Sequence, residues 1–149
     1  MIYLITDSGV KSARTFKEFN NKYHVLLEES ECASCGGDFV SYATNNDLDF
    51  LRYKVNKLGY KIVDEELVKD AGIIYTVIKF KKGIKFYTKK QLYFGPLLMK
   101  EKSELFYERC NTEFDKMVKF YPVIPKGQIH HRNKIKWRIK TLEKILEDK

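Results

Sequence analysis

The sequence predicts an α/β fold: a strand-helix-strand-helix unit, then an antiparallel β-hairpin over residues 1–99, then a C-terminal helical hairpin over 100–149. Three observations carry this. Short runs of β-branched and aromatic residues alternate with helical periodicity in the first part of the chain. Two later β-rich runs flank a glycine-containing turn. Residues 100–149 hold two helical patterns separated by Pro122 and Pro125, which cannot continue a helix.

The elements follow in order. Ile2 to Thr6 is a short apolar run ending at Asp7-Ser8-Gly9, hence a strand entering a turn. Phe16, Phe19, Tyr23 and Leu26 fall at helical spacing, and Glu28 to Gly37 is acidic and small, hence a loop. Phe39 to Ala43 is a second strand, expected parallel to the first through a right-handed crossover. Asn45, Asn46 and Asp47 offer N-cap oxygens to a helix whose face is Leu48, Leu51, Val55 and Leu58, closed by Gly59. Tyr60 to Val68 alternates loosely, Ile73 to Phe80 is β-rich, and Lys69 to Gly72 links them into a hairpin.

After the break at Tyr93-Phe94-Gly95-Pro96, a helix is expected over Lys100 to Tyr121, with Leu105, Phe106, Cys110, Phe114, Met117 and Val118 on its apolar face. The closing helix carries a narrow seam of Ile135, Ile139, Leu142 and Leu146, suited to antiparallel, coiled-coil-like pairing.

Charge narrows the function. Against 20 acidic residues stand 28 Lys and Arg, a net +8 that favours polyanionic partners. The excess is segregated. From Ile73 to Lys100 there are seven lysines and no acid, with Tyr75, Phe80, Phe86, Tyr87, Tyr93 and Phe94 interleaved. From Lys116 to Leu142 there are eight Lys or Arg, again with no acid. Two acid-free basic segments in one small chain form the electrostatic footprint of phosphate-backbone binding. The nucleic-acid-binding candidates are Lys79, Lys81, Lys82, Lys85, Lys89 and Lys90 in the first segment. In the second they are Arg132, Lys134, Lys136, Arg138 and Lys140. Lysine-rich solvated faces are the competing explanation.

Other chemistries find little support. No apolar run is long enough to span a bilayer and no signal peptide is visible, so a cytoplasmic location without membrane partners is expected. Three cysteines make no disulfide scaffold. Cys32 and Cys35 form a single Cys-x-x-Cys, and zinc would need two more ligands, from Cys110, His130 or His131; no metal site is expected. Ser8, Ser34, Cys35, His24 and His130 carry no nucleophile-base signature, and the acidic triplet Asp64-Glu65-Glu66 projects to alternating faces of a strand.

Leu51-Arg52, Gly59 to Glu65, Ile74-Tyr75, the Leu92 to Glu101 segment around Phe94-Gly95-Pro96, and the basic closing helix occur in this order. Over residues 45 to 149 they resemble the C-terminal half of the bacterial tRNA (adenine(22)-N(1))-methyltransferase family. The resemblance implies a partial Rossmann-like unit, S-adenosylmethionine as the family's cofactor, and tRNA as partner. Where the family has Gln-Pro-Asn before the Leu-Arg helix, this chain has Ala43-Thr44-Asn45. Asn45 is therefore a weak catalytic candidate, through a contact to the substrate base, beside its capping role. The family's glycine loop for the cofactor would precede Met1, and Asp7-Ser8-Gly9 does not replace it.

The expectation is thus a tRNA-binding part of a methyltransferase with no cofactor of its own, not catalytically competent alone, and whether it is an enzyme stays open. A separate cofactor-binding polypeptide could complete it. The alternative is a non-catalytic protein-protein interaction module using the helical hairpin.

Overall fold

The computed structural model describes residues 2–6, 9–13, 39–45 and 48–149. The expected helix around Phe16 to Leu26 and the loop over 28–37 lie outside them. The chain divides into two compact units, Met1–Glu101 and Lys102–Lys149.

Among the described residues, the first unit is a mixed α/β structure around a five-stranded sheet. Its strands are β1 (Ile2–Thr6), β2 (Gly9–Ala13), β3 (Phe39–Thr44), β4 (Tyr60–Asp70) and β5 (Ile73–Lys82), in the order β2-β1-β3-β5-β4. The pairing of β1 with β3 is antiparallel, which corrects the expected parallel crossover. The physical reason lies in β2, where the sequence predicts a turn leading into a helix. Thr6 pairs with Gly9, so two residues separate the paired ends of β1 and β2. A link of that length reverses the chain, so β2 is antiparallel to β1; β3, which follows after a further 25 residues, runs in the direction of β2 and therefore against β1.

Helix α1 (Leu48–Lys57) lies between β3 and β4 in sequence and turns Leu51 and Val55 inward. They join Tyr42, Tyr60, Ile62, Ile78 and Phe80 in one core cluster, with Leu48, Tyr87 and Leu97 packed at its margin. Leu58, expected on the same face, is exposed because the helix ends at Lys57 and Gly59 turns the chain away at φ 94°. In β5 the alternation is clean: Thr76, Ile78 and Phe80 are buried, while Lys79 and Lys81 are exposed. The link between β4 and β5 is Ala71-Gly72, both at positive φ, as a two-residue turn between twisted strands requires.

Strand β4 breaks its own alternation. Its register against β5 shifts between Ile62 and Asp64, so Val63 is an extra residue in the ladder. Tyr60 and Ile62 face the core before the bulge, and Glu65 is buried after it, while Asp64 and Glu66 are exposed. Strict alternation from Ile62 would have sent Asp64 and Glu66 inward instead. The bulge selects which acid of the triplet enters the interior.

Two further short helices among the described residues of this unit are α2 (Lys89–Phe94) and α3 (Pro96–Glu101). The sequence reading missed α2, although its signature is present: the Thr88 hydroxyl accepts the Gln91 N–H at 3.2 Å and the Gln91 side chain accepts the Thr88 N–H at 2.9 Å.

In the second unit, α4 (Glu104–Phe120) starts later than the expected Lys100. Lys100 and Glu101 belong to α3, Lys102 has φ 53°, and the Ser103 hydroxyl caps α4 by accepting the Phe106 N–H at 3.1 Å. A single 3-10 turn (Tyr121–Val123) and the Pro125 connector lead to α5 (Ile129–Glu147). The helices run antiparallel, since Lys149 Nζ sits 5.6 Å from the Tyr107 ring and His131 meets Phe120 with ring centroids 5.9 Å apart. The buried side of α5 is Ile135, Thr141, Leu142 and Ile145, so the seam lies slightly round the helix from the expected one. Ile139 and Leu146 are only half-buried. Among the described residues, no helix is long and apolar enough to cross a membrane.

Cys110 is buried in α4, and burial pushes its thiol up to about 12. Among the described residues no cluster of His, Cys, Asp and Glu could hold a metal ion; Cys32 and Cys35 lie outside them. With those two replaced by Ser, the remaining thiol should react with iodoacetamide at pH 8 on the order of a thousandfold more slowly in native than in urea-unfolded protein, because the thiolate is the nucleophile. Equal rates would show that Cys110 is accessible and not buried.

Candidate functional site

The most tightly built polar feature is a buried ion pair. Arg52 stands on the inward stripe of α1, one turn before Val55 and beside Leu51, so the helix itself delivers a guanidinium into the interior. Its Nη2 lies 2.7 Å and its Nε 3.1 Å from Glu65 Oε2, with both side chains at 0% exposure. Arg52 Nη1 donates to the Leu92 carbonyl at 2.9 Å and to the Tyr93 carbonyl at 3.1 Å, at the last turn of α2. Glu65 Oε1 accepts the Leu97 N–H at 3.0 Å, at the first turn of α3. One pair therefore satisfies the C-terminal end of α2 and the N-terminal end of α3 together.

Gly95 joins those helices, and its place is dictated by the pair. Its φ is 94°, a conformation L side chains rarely adopt. A Cβ there would lie 2.6 Å from Glu65 Oε2 and 2.7 Å from Arg52 Nη2. Phe94 and Pro96 on either side are buried. The Phe-Gly-Pro segment is thus the lid of a charged, water-excluded socket. Nothing in the sequence alone joins Arg52, Glu65 and Gly95. A charged residue on the apolar stripe of α1 was the available signal; the Val63 bulge hid the matching one in β4.

The basic candidates separate by environment. Lys79, Lys81, Lys82, Lys85, Lys89 and Lys90 are all exposed in the first unit. Lys79 sits opposite Asp64 in the β4–β5 register, so part of its charge is matched locally. In α5, Lys134, Lys136 and Lys140 are exposed, whereas Arg132 and Arg138 are half-buried. Arg132 holds the helix connector: Nη1 donates to the Ile124 carbonyl at 2.8 Å and the guanidinium lies 4.6 Å from the Tyr121 ring centroid. Its removal would disturb packing as well as charge.

The sequence profile of the tRNA (adenine(22)-N(1))-methyltransferase family matches residues 42–144, spanning the ion pair, the Phe-Gly-Pro lid and nearly all of α5. The chain belongs to this family. Among solved structures it is similar to a Streptococcus agalactiae protein of the NADB-Rossmann superfamily, with 23% identity and TM-score 0.70, covering 87% of this chain and 53% of that one. It is also similar to Streptococcus pneumoniae Sp1610, proposed as a tRNA (m1A22) methyltransferase, with 22% identity, TM-score 0.70 and coverage of 87% and 55%. A third is M. capricolum TrmK in complex with the natural cofactor product S-adenosyl-homocysteine, with 20% identity, TM-score 0.57 and coverage of 70% and 47%. At these identities the likeness shows the fold alone. The chain spans about half the length of these structures. None of the curated proteins matches it.

The family's cofactor puts a requirement on the fold. A nucleoside cofactor sits at the carboxyl ends of parallel strands, on a glycine turn, with a carboxylate for the ribose. Among the described residues every strand pair is antiparallel, and the buried carboxylate, Glu65, is committed to Arg52 and Leu97. The described residues therefore do not fit S-adenosylmethionine. Asn45, the candidate base contact, is exposed directly after β3; Asn46 and Asp47, the other capping candidates, lie outside the described residues.

Proposed function

We propose that this chain is the tRNA-binding part of an S-adenosylmethionine-dependent tRNA adenine N1-methyltransferase, and that it does not catalyse methyl transfer alone. The reading is supported chiefly by the exposure of lysines from both acid-free segments, in a chain of this family. Lys134, Lys136 and Lys140 offer phosphate contacts from α5, and the lysines from Lys79 to Lys90 offer them from the first unit. Methyl transfer would then require a cofactor-binding part outside the described residues or on a separate polypeptide. The helical pair is also the segment a coiled-coil-like partner would use.

The test is the triple substitution Lys134→Ala, Lys136→Ala and Lys140→Ala, chosen because all three side chains are exposed. Binding of tRNA, followed by fluorescence anisotropy from low to moderate salt, should weaken, and the slope of log K against log salt should flatten by up to about three units. Unrelated RNAs should lose affinity similarly, because backbone contacts position without reading sequence. An unchanged slope would make α5 a solvated face. The protein-interaction reading would then lead, favoured by Val118, Phe120, Val123 and Ile129, which leave apolar surface exposed where the two helices connect.

A further inference from the structure

Between β5 and α2 the chain presents two large apolar side chains almost wholly to solvent: Ile84 is 86% and Phe86 91% exposed. A floppy loop would make this unremarkable, but the backbone here is tied down along its length. Gly83 N–H donates to the Gly59 carbonyl at 2.9 Å. Asn56 Nδ2 donates to the Lys85 carbonyl at 2.9 Å and to the Tyr60 carbonyl at 3.0 Å, fastening the loop to α1 and β4. The Tyr87 hydroxyl accepts the Ile62 N–H at 2.8 Å while its ring packs at the core margin, and Thr88 closes the loop in a capping box. Each anchor fixes the backbone or an inward side chain. Ile84 and Phe86 are held outward between them.

The surroundings select a partner. Lys81, Lys82, Lys85, Lys89 and Lys90 flank the pair, and no acid occurs between Ile73 and Lys100. A protein partner would have to match an apolar tip ringed by positive charge. An unpaired nucleotide brings both complements together, a π-face for the ring and a phosphate for the lysines. Presenting the ring on a fixed backbone also lowers the ordering cost of binding. From these observations we propose that loop 83–88 is a base-stacking platform, with Phe86 against an unpaired nucleobase of RNA and neighbouring lysines on its phosphates. This deepens the tRNA-binding reading above and rests on it. It adds recognition of single-stranded or looped RNA, which lysines alone do not supply.

The experiment compares the parent chain with Phe86→Ala and Phe86→Trp. The probes are tRNA, a single-stranded oligoribonucleotide, an RNA duplex of equal length, and vesicles of mixed neutral and anionic lipid. Because the ring is exposed, neither substitution threatens the fold. Phe86→Ala should lower affinity for tRNA and the single strand roughly five- to one-hundred-fold, leave duplex binding within about twofold, and leave the salt slope unchanged, since no charge is lost. Phe86→Trp should restore binding. If Phe86→Ala binds single-stranded RNA as the parent does, the platform is refuted while the lysine-based reading stands. Equal losses on duplex and single strand would also overturn it, as would vesicle binding that depends on Phe86 in place of RNA binding. Should the parent bind no RNA at all, the underlying tRNA-binding reading falls, and the platform with it.

Discussion

Replacing Gly95 by Ala should lower the unfolding free energy by about 3–5 kcal/mol, a large part of the total stability of a small domain. Two costs combine. The new methyl would sit 2.6 Å from Glu65 Oε2 and 2.7 Å from Arg52 Nη2, so the ion pair must part or the α2–α3 corner must open. Either movement strands buried charge, because both side chains have 0% exposure. Alanine also has to adopt φ 94°. The comparison is Gly72→Ala in the β4–β5 turn, where φ is 80° but a Cβ would meet nothing within 4 Å. That change should cost only about 1 kcal/mol, the backbone term alone. Urea denaturation of both variants checks the difference. Equal losses would mean that Gly95 is required for its φ and that the socket tolerates a methyl.

The same socket shows how far the sequence could be read. The β4–β5 hairpin was legible because Ala71-Gly72 lies between two β-rich runs, and the antiparallel helices because Pro122 and Pro125 interrupt helical periodicity. The resemblance carried the family, and its most specific piece, Phe94-Gly95-Pro96, proved to be the lid over Arg52 and Glu65. The pairing of β1 with β3 was not legible. Apolar runs establish that strands exist, but their direction depends on what each strand meets: β2 reverses the chain after Thr6, and β3 runs with β2 rather than with β1. Glu65 was hidden differently: a bulge changes inside-outside parity without changing the composition of the strand. Among the basic residues, composition could not separate Arg132, which braces the connector through Ile124 and Tyr121, from Lys136, which is exposed.

The ion pair should also show strong energetic coupling, measurable by a double-mutant cycle on Arg52→Met, Glu65→Leu and the double variant. Each single change leaves a buried charge without its partner and should cost about 3–5 kcal/mol. Arg52→Met leaves the Glu65 carboxylate with the Leu97 N–H in a site closed to water. Glu65→Leu leaves the guanidinium facing the Leu92 and Tyr93 carbonyls. The double variant removes both charges and replaces them with apolar groups of similar reach, so its cost should fall short of the summed singles by about 2 kcal/mol or more. It should still be less stable than the parent. The Leu92 and Tyr93 carbonyls and the Leu97 N–H lose their charged partners, and each buried polar group so orphaned costs about 1–3 kcal/mol. This ordering distinguishes a pair that specifies the α2–α3 corner from a charge merely tolerated in the core. A double variant as stable as the parent would show that apolar packing serves the corner equally well. Strict additivity would show that Arg52 and Glu65 act on the corner separately.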